Sequence, residues 1–162
     1  MSNDLKQTFE LRIDELIKRI KNLSKSNRNG ELDDTIADLS KYLCILLSGY
    51  FEKILVHKIV LFSTKKSSPE IQKFITEECR HLTNFTIGKL EDFLRKFKTS
   101  WIDDLKKWDN YDTFSNTLGT IYKNRNNIAH GENSTVSMKT LEESYTTFKS
   151  FFYTLNNILK IQ

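Results

Sequence analysis

Residues 32–62, LDDTIADLSKYLCILLSGYFEKILVHKIVLF, decide the fold of this chain. Leu32, Ile36, Leu39, Leu43, Leu46, Tyr50 and Ile54 recur at helical spacing and form one continuous seam. The second half of the stretch is apolar on nearly every side. A helix of that kind lies at the centre of a bundle or is buried in a dimer. Glu52 stands on a flank shared with Ile45, Val56 and Ile59, where a carboxylate needs a partner. His57, on the seam itself, reads as a satisfied core or interface histidine.

Outward from this helix the chain remains helical. Residues 4–24 carry an apolar stripe of Leu5, Phe9, Ile13, Leu16, Ile17, Ile20 and Leu23. The polar break at 24–30 separates this first helix, either an arm or one more member of the bundle, from residues 30–162. Ser68-Pro69 starts a third helix, with serine as cap and proline at the first position. Helical patterns follow over Ile87–Phe97 and, as a short turn or helix, over Trp101–Trp108. Ser137 caps a last helix carrying Leu141, Tyr145, Phe148, Phe152, Leu155 and Leu159. Nothing reads as a strand, and the whole chain has one proline and five glycines. The expected architecture is all-α, a bundle of five to seven helices.

Between these elements lies Tyr122-Lys123-Asn124-Arg125-Asn126-Asn127-Ile128-Ala129-His130-Gly131. The helix leading into it runs from about Thr113 to His130 and stops at Gly131, a favoured residue after a helix end. Phe114, Leu118, Ile121, Ile128 and Ala129 fall on one stripe at 100° per residue, with Arg125 near its centre. A helix built only for packing would place a leucine there, because a buried unpaired guanidinium is costly. Asn126 and His130 are four apart on a neighbouring face. Such breaks of a local rule are expected at functional sites.

Arg125-Asn126-x-x-x-His130 resembles the arginine-to-histidine motif of the HEPN superfamily, in which a polar residue commonly follows the arginine. The chain is similar to small prokaryotic HEPN domains of the RiboL-PSP type from about residue 30 to 162. The shared features are Ser48 to Glu52 in an early long helix, a Phe/Trp-rich middle from Phe93 to Trp108, and a Ser/Thr-rich cap before the last helix. The resemblance implies a metal-independent endoribonuclease of toxin or phage-defence type. Its two protomers would pack with their motif helices together, so that both motifs face one cleft. Arg125, Asn126 and His130 are then the catalytic candidates, with Glu52 and Tyr122 in support and Glu52 pairing with Arg125 or a neighbouring part of the motif. The competing reading is a catalytically silent HEPN module that dimerises or binds RNA or nucleotide within a larger system.

The residue chemistry is consistent with the first reading. Imidazole exchanges protons near neutral pH, and guanidinium offers forked donors to phosphate. Together they suffice to cleave RNA without metal. No cofactor and no metal is expected: three scattered histidines and two cysteines 35 apart have no ligand spacing. Cys44 and Cys79 read as core-filling thiols of a reducing cytosol, and His81 as a surface residue. A net charge of +4 permits nucleic-acid binding and is weak evidence for it. The polar start without an apolar leader, and a longest apolar run interrupted by Glu52, Lys53, His57 and Lys58, point to a cytoplasmic protein without a membrane span. The expected partners are RNA, a second copy of the chain, and an antitoxin or neighbouring defence protein.

Overall fold

The computed structural model describes residues 2–132, 134 and 136–161. Among them are seven helices and no strand: α1 (Ser2–Ser26), α2 (Asp33–Lys66), α3 (Pro69–Cys79), α4 (Ile87–Arg95), α5 (Ser100–Lys106), α6 (Tyr111–Ala129) and α7 (Met138–Leu159). The expected all-α bundle is observed.

α2 is the axis of the bundle. Its 34 residues extend about 51 Å at 1.5 Å per residue. Because its second half is apolar on nearly every side, α2 is covered on several sides: by α1 along one flank, by α6 and α7 on another, and by α3 toward its C-terminal end. Much of the apolar excess expected to face a second subunit is therefore used within the chain. The large apolar side chains that α2 leaves exposed are in its first half: Tyr42, 38% exposed, and Ile45, 41% exposed. α1 lies against α2 through Ile13, Leu16 and Ile20, all buried.

Phe51 occupies the middle of the core. Its ring centroid is 4.9 Å from that of Phe148, 5.5 Å from those of Phe151 and Phe152, and 5.7 Å from that of Phe85. Phe114 stacks on Phe151 with centroids 4.2 Å apart. These rings join α2, α6, α7 and the segment before α4 into one apolar body. Tyr153, on the outer face of α7, stays 70% exposed. Both cysteines are free and buried, and the Cys44 thiol points at the Ile121 carbonyl at 3.6 Å, across the α2–α6 contact.

Helix ends follow local chemistry. Ser137 caps α7 by accepting from the Thr140 N–H at 3.1 Å, and Thr86 caps α4 in the same way. Pro69 opens α3 as expected, but the Ser68 hydroxyl makes no capping bond to that helix. α5 is shorter than the 101–108 pattern: it closes at Lys106, and Trp108 turns in against Phe114, with centroids 6.0 Å apart. His57 departs from expectation as well. It is half-buried, and its Nε2 is enclosed without a hydrogen-bond partner among the described residues. Burial, with the charge of Lys58 adding to it, holds its pKa below the usual histidine range. No described helix is long and apolar enough to cross a membrane.

Candidate functional site

The site is built on the last two turns of α6 and on what holds them. Phe114, Leu118, Ile121 and Tyr122 are buried and anchor the helix to α2 and α7. The stripe then ends sooner than its spacing suggests: Ile128 is half-buried and Ala129 exposed. Arg125 thus lies at the edge of the core, half-buried, and not at the centre of a covered stripe. Its Nη1 donates to Asn126 Oδ1 at 3.1 Å. Asn126 and His130 are both exposed.

The helix end is closed by paired backbone bonds. Gly131 takes a left-handed φ of +71°, which glycine adopts without a side-chain penalty. That turn lets the Gly131 N–H reach the Ile128 carbonyl at 3.1 Å and the Glu132 N–H reach the Asn127 carbonyl at 2.8 Å, a Schellman closure. His130 is the capping residue, its own N–H directed to the Asn126 and Asn127 carbonyls. The following loop is clipped back onto α6, where the Ser134 hydroxyl donates to Asn124 Oδ1 at 2.9 Å. The imidazole is thereby carried on a fixed backbone while its ring projects from an exposed position.

One turn before Arg125, the Tyr122 hydroxyl donates to Glu52 Oε1 at 3.2 Å. The same oxygen accepts the Asn84 N–H at 2.9 Å. Glu52 does have a partner in the motif segment, but it is Tyr122: among the described residues it forms no ion pair with Arg125. A guanidinium at the edge of the core can remain hydrated, whereas the enclosed tyrosine hydroxyl needs an acceptor. Burial, and next the charge of Glu52, push the Tyr122 pKa far above the ordinary phenol value, with Arg125 opposing weakly. Asn84, whose left-handed φ of 53° turns its N–H toward the carboxylate, lies between α3 and α4 and is not among the site residues expected from the sequence. Asparagine's tolerance of that conformation is the signal that could have marked it.

The structure therefore brings Arg125 and Asn126 into direct contact, places His130 one turn further along, and ties Tyr122 to Glu52. His81 is exposed, as expected for a surface histidine. Residues 7–160 match the RiboL-PSP-HEPN family. The match reaches into α1, further than the segment from about residue 30 that carries the motif resemblance. Neither the curated proteins nor the solved structures hold a significant match to the chain. On the extent of the family match, the chain belongs to the RiboL-PSP-HEPN family.

Proposed function

We propose that this RiboL-PSP-HEPN protein is a metal-independent endoribonuclease that cleaves single-stranded RNA, with Arg125, Asn126 and His130 as its catalytic residues. One observation carries the reading. An imidazole that serves no packing role is held at the closed end of α6, one turn from an arginine–asparagine pair at the edge of the core.

In the proposed reaction His130 takes the proton of a ribose 2′-hydroxyl, and the 2′-oxygen forms a bond to phosphorus. The bond from phosphorus to the 5′-oxygen breaks, and that oxygen receives a proton. The products are a 2′,3′-cyclic phosphate and a 5′-hydroxyl. Arg125 stabilises charge on the phosphoryl oxygens, and Asn126 orients the guanidinium it contacts. One imidazole rarely removes and supplies protons in the same step. A two-fold dimer would let the partner subunit's His130 protonate the leaving oxygen. Glu52 and Tyr122 support the site by fixing α6 on α2.

Family membership supports a cytoplasmic setting of toxin or phage-defence type, with an antitoxin or neighbouring defence protein as partner. The decisive experiment is incubation of single-stranded RNA with chelator-treated protein, alongside His130→Ala. Cleavage by the wild type alone supports the reading. Uncut RNA, or equal cutting by the variant, replaces it with a non-catalytic binding module.

A further inference from the structure

The cavity beside Glu52 is not used by the proposed chemistry. It occupies about 210 Å³ between α2, α3 and the α3–α4 connection. A cavity of that size has room for one flat heterocycle and too little for a packed helix. Its walls include the apolar side chains of Val56, Cys79 and Leu82, and Lys53 and Arg80 also line it. Both cations are exposed. Lys53 has no ion pair among the described residues, and Arg80 is held only by the exposed Glu77 at 2.7 Å.

Glu52 gives this cavity a polar selector. A carboxylate has about four lone-pair positions. Two are taken on Oε1, by the Tyr122 hydroxyl and the Asn84 N–H. Oε2 accepts no hydrogen bond among the described residues. The carboxylate is therefore held in place while half of its accepting capacity remains free, at the edge of a cavity lined by Val56, Cys79 and Leu82 and also by Thr76 and Thr83.

We infer that this cavity is a base-recognition pocket for a guanine nucleotide of the RNA. The inference rests on the ribonuclease reading, which it deepens by assigning substrate preference. Guanine alone among the four bases presents two adjacent N–H donors, N1 and N2, along its pairing edge, and both can converge on the two open lone-pair positions of Oε2. Adenine and cytosine pair a donor with a ring nitrogen acceptor, which would face the carboxylate. Uracil flanks its single N–H with two carbonyl oxygens, which the carboxylate also disfavours. The ring faces of the base lie against Val56 and Leu82, and its phosphate is reached by Lys53 and Arg80. Tyr122 connects this pocket to the helix that carries Arg125.

The test measures binding of GMP, AMP, CMP and UMP, and of short 2′-O-methylated RNAs with and without guanine, by calorimetry. In parallel, cut sites on a mixed-sequence RNA are mapped. GMP and the guanine-containing RNA should bind roughly 10- to 100-fold more tightly than their uracil counterparts, the range expected for one good base-edge contact. Val56→Phe, which fills the cavity and leaves the Glu52 bonds intact, should abolish the preference. Glu52→Gln keeps an acceptor for Tyr122 and Asn84 but turns a donor into the cavity, so it should move the preference away from guanine. Thermal melting confirms that both variants fold. Binding of GMP alone, with no gain for the guanine-containing RNA, makes the pocket one for free nucleotide and overturns the inference. Equal binding of all four nucleotides, or a guanine preference that survives both variants, overturns it too. RNA cut without base preference removes the pocket and leaves the nuclease reading in place. Selective guanine-RNA binding without cleavage does the reverse.

Discussion

The Tyr122 hydroxyl donates to Glu52 Oε1 at 3.2 Å, joining the middle of α2 to the turn of α6 that precedes Arg125. Seventy positions separate the two residues, so the bond exists only once the bundle has formed. Tyr122 is 4% exposed, with its ring against Phe51 and Phe85. Its hydroxyl is a donor throughout the accessible pH range, since burial and the nearby carboxylate oppose ionisation. The Asn84 N–H shares the same acceptor, so one carboxylate oxygen holds α2, α6 and the α3–α4 connection together.

Removing either side of this bond should be measurable and unequal. Glu52→Ala leaves the Asn84 N–H without its acceptor and the Tyr122 hydroxyl with only the longer bond to the Ser48 carbonyl, 3.4 Å away, at about 1–3 kcal/mol for the orphaned N–H. Tyr122→Phe removes the hydroxyl and keeps the ring packing, at about 0.5–1.5 kcal/mol. Urea unfolding of the two single variants and the double variant gives the coupling. Additive losses would mean that the bond contributes nothing.

His130→Ala should separate chemistry from structure. The side chain is exposed and the helix end is closed by the Gly131 and Glu132 backbone bonds, so the melting temperature should hardly change. RNA cleavage in chelator should fall by about 10²–10⁴-fold, the usual contribution of a positioned acid or base. Asn126→Ala, which removes only the contact to the Arg125 guanidinium, should fall less. Single-turnover cleavage of one labelled RNA ranks the three proteins, and a larger loss for Asn126→Ala would reverse the assigned roles.

The bundle was legible because its information is local. Seam residues such as Leu43, Tyr50 and Ile54, the Ser137 cap and the Gly131 stop each act within a turn or two of their own position, and each stands where expected. Tertiary choices were less legible. The period that put Ala129 on the apolar stripe is real, but α6 outruns its neighbours there, and periodicity does not show where a neighbour ends. Burial marked Glu52 as needing a partner, yet the choice of Tyr122 over Arg125 depends on the contact between α2 and α6. His57 stands on the seam as read, and that its Nε2 finds no partner among the described residues is a property of the assembled surroundings. The arginine–asparagine contact could be anticipated from adjacency, whereas the Asn124–Ser134 clip could not.

The two thiols should be inert in the native protein. Burial raises the Cys44 pKa to about 12 and that of Cys79 to about 11. The nucleophilic thiolate is therefore scarce at pH 8, and Cys44 is fully enclosed as well. Iodoacetamide at pH 8 should leave the folded chain unmodified within an hour and add two groups after denaturation, as counted by intact mass. Rapid labelling of Cys44 under native conditions would show that the α2–α6 contact opens readily. The thiols also set a sign at high pH: their folded pKa values are raised, so their contribution is complete below the unfolded value and is lost as pH climbs through the folded ones.

His57 should make the fold sensitive to mild acid. Its folded pKa is lowered, first by burial and then by Lys58, while an unfolded histidine titrates near 6.5. Between the two values the unfolded chain binds more protons, so stability rises with pH across that interval. The contribution is complete above about pH 6.5 and is lost as pH falls toward and through the folded value. Urea midpoints should therefore decline from pH 7.5 to pH 5, in a range where most carboxylates remain charged. His57→Gln removes the titrating group at similar size and should flatten that decline, whereas His81→Gln, at an exposed position, should not. In NMR titration the His57 ring signals should move with a midpoint below the ordinary histidine value. A His57 midpoint at or above 6.5, or an unchanged slope in His57→Gln, would rule out this origin for the acid sensitivity.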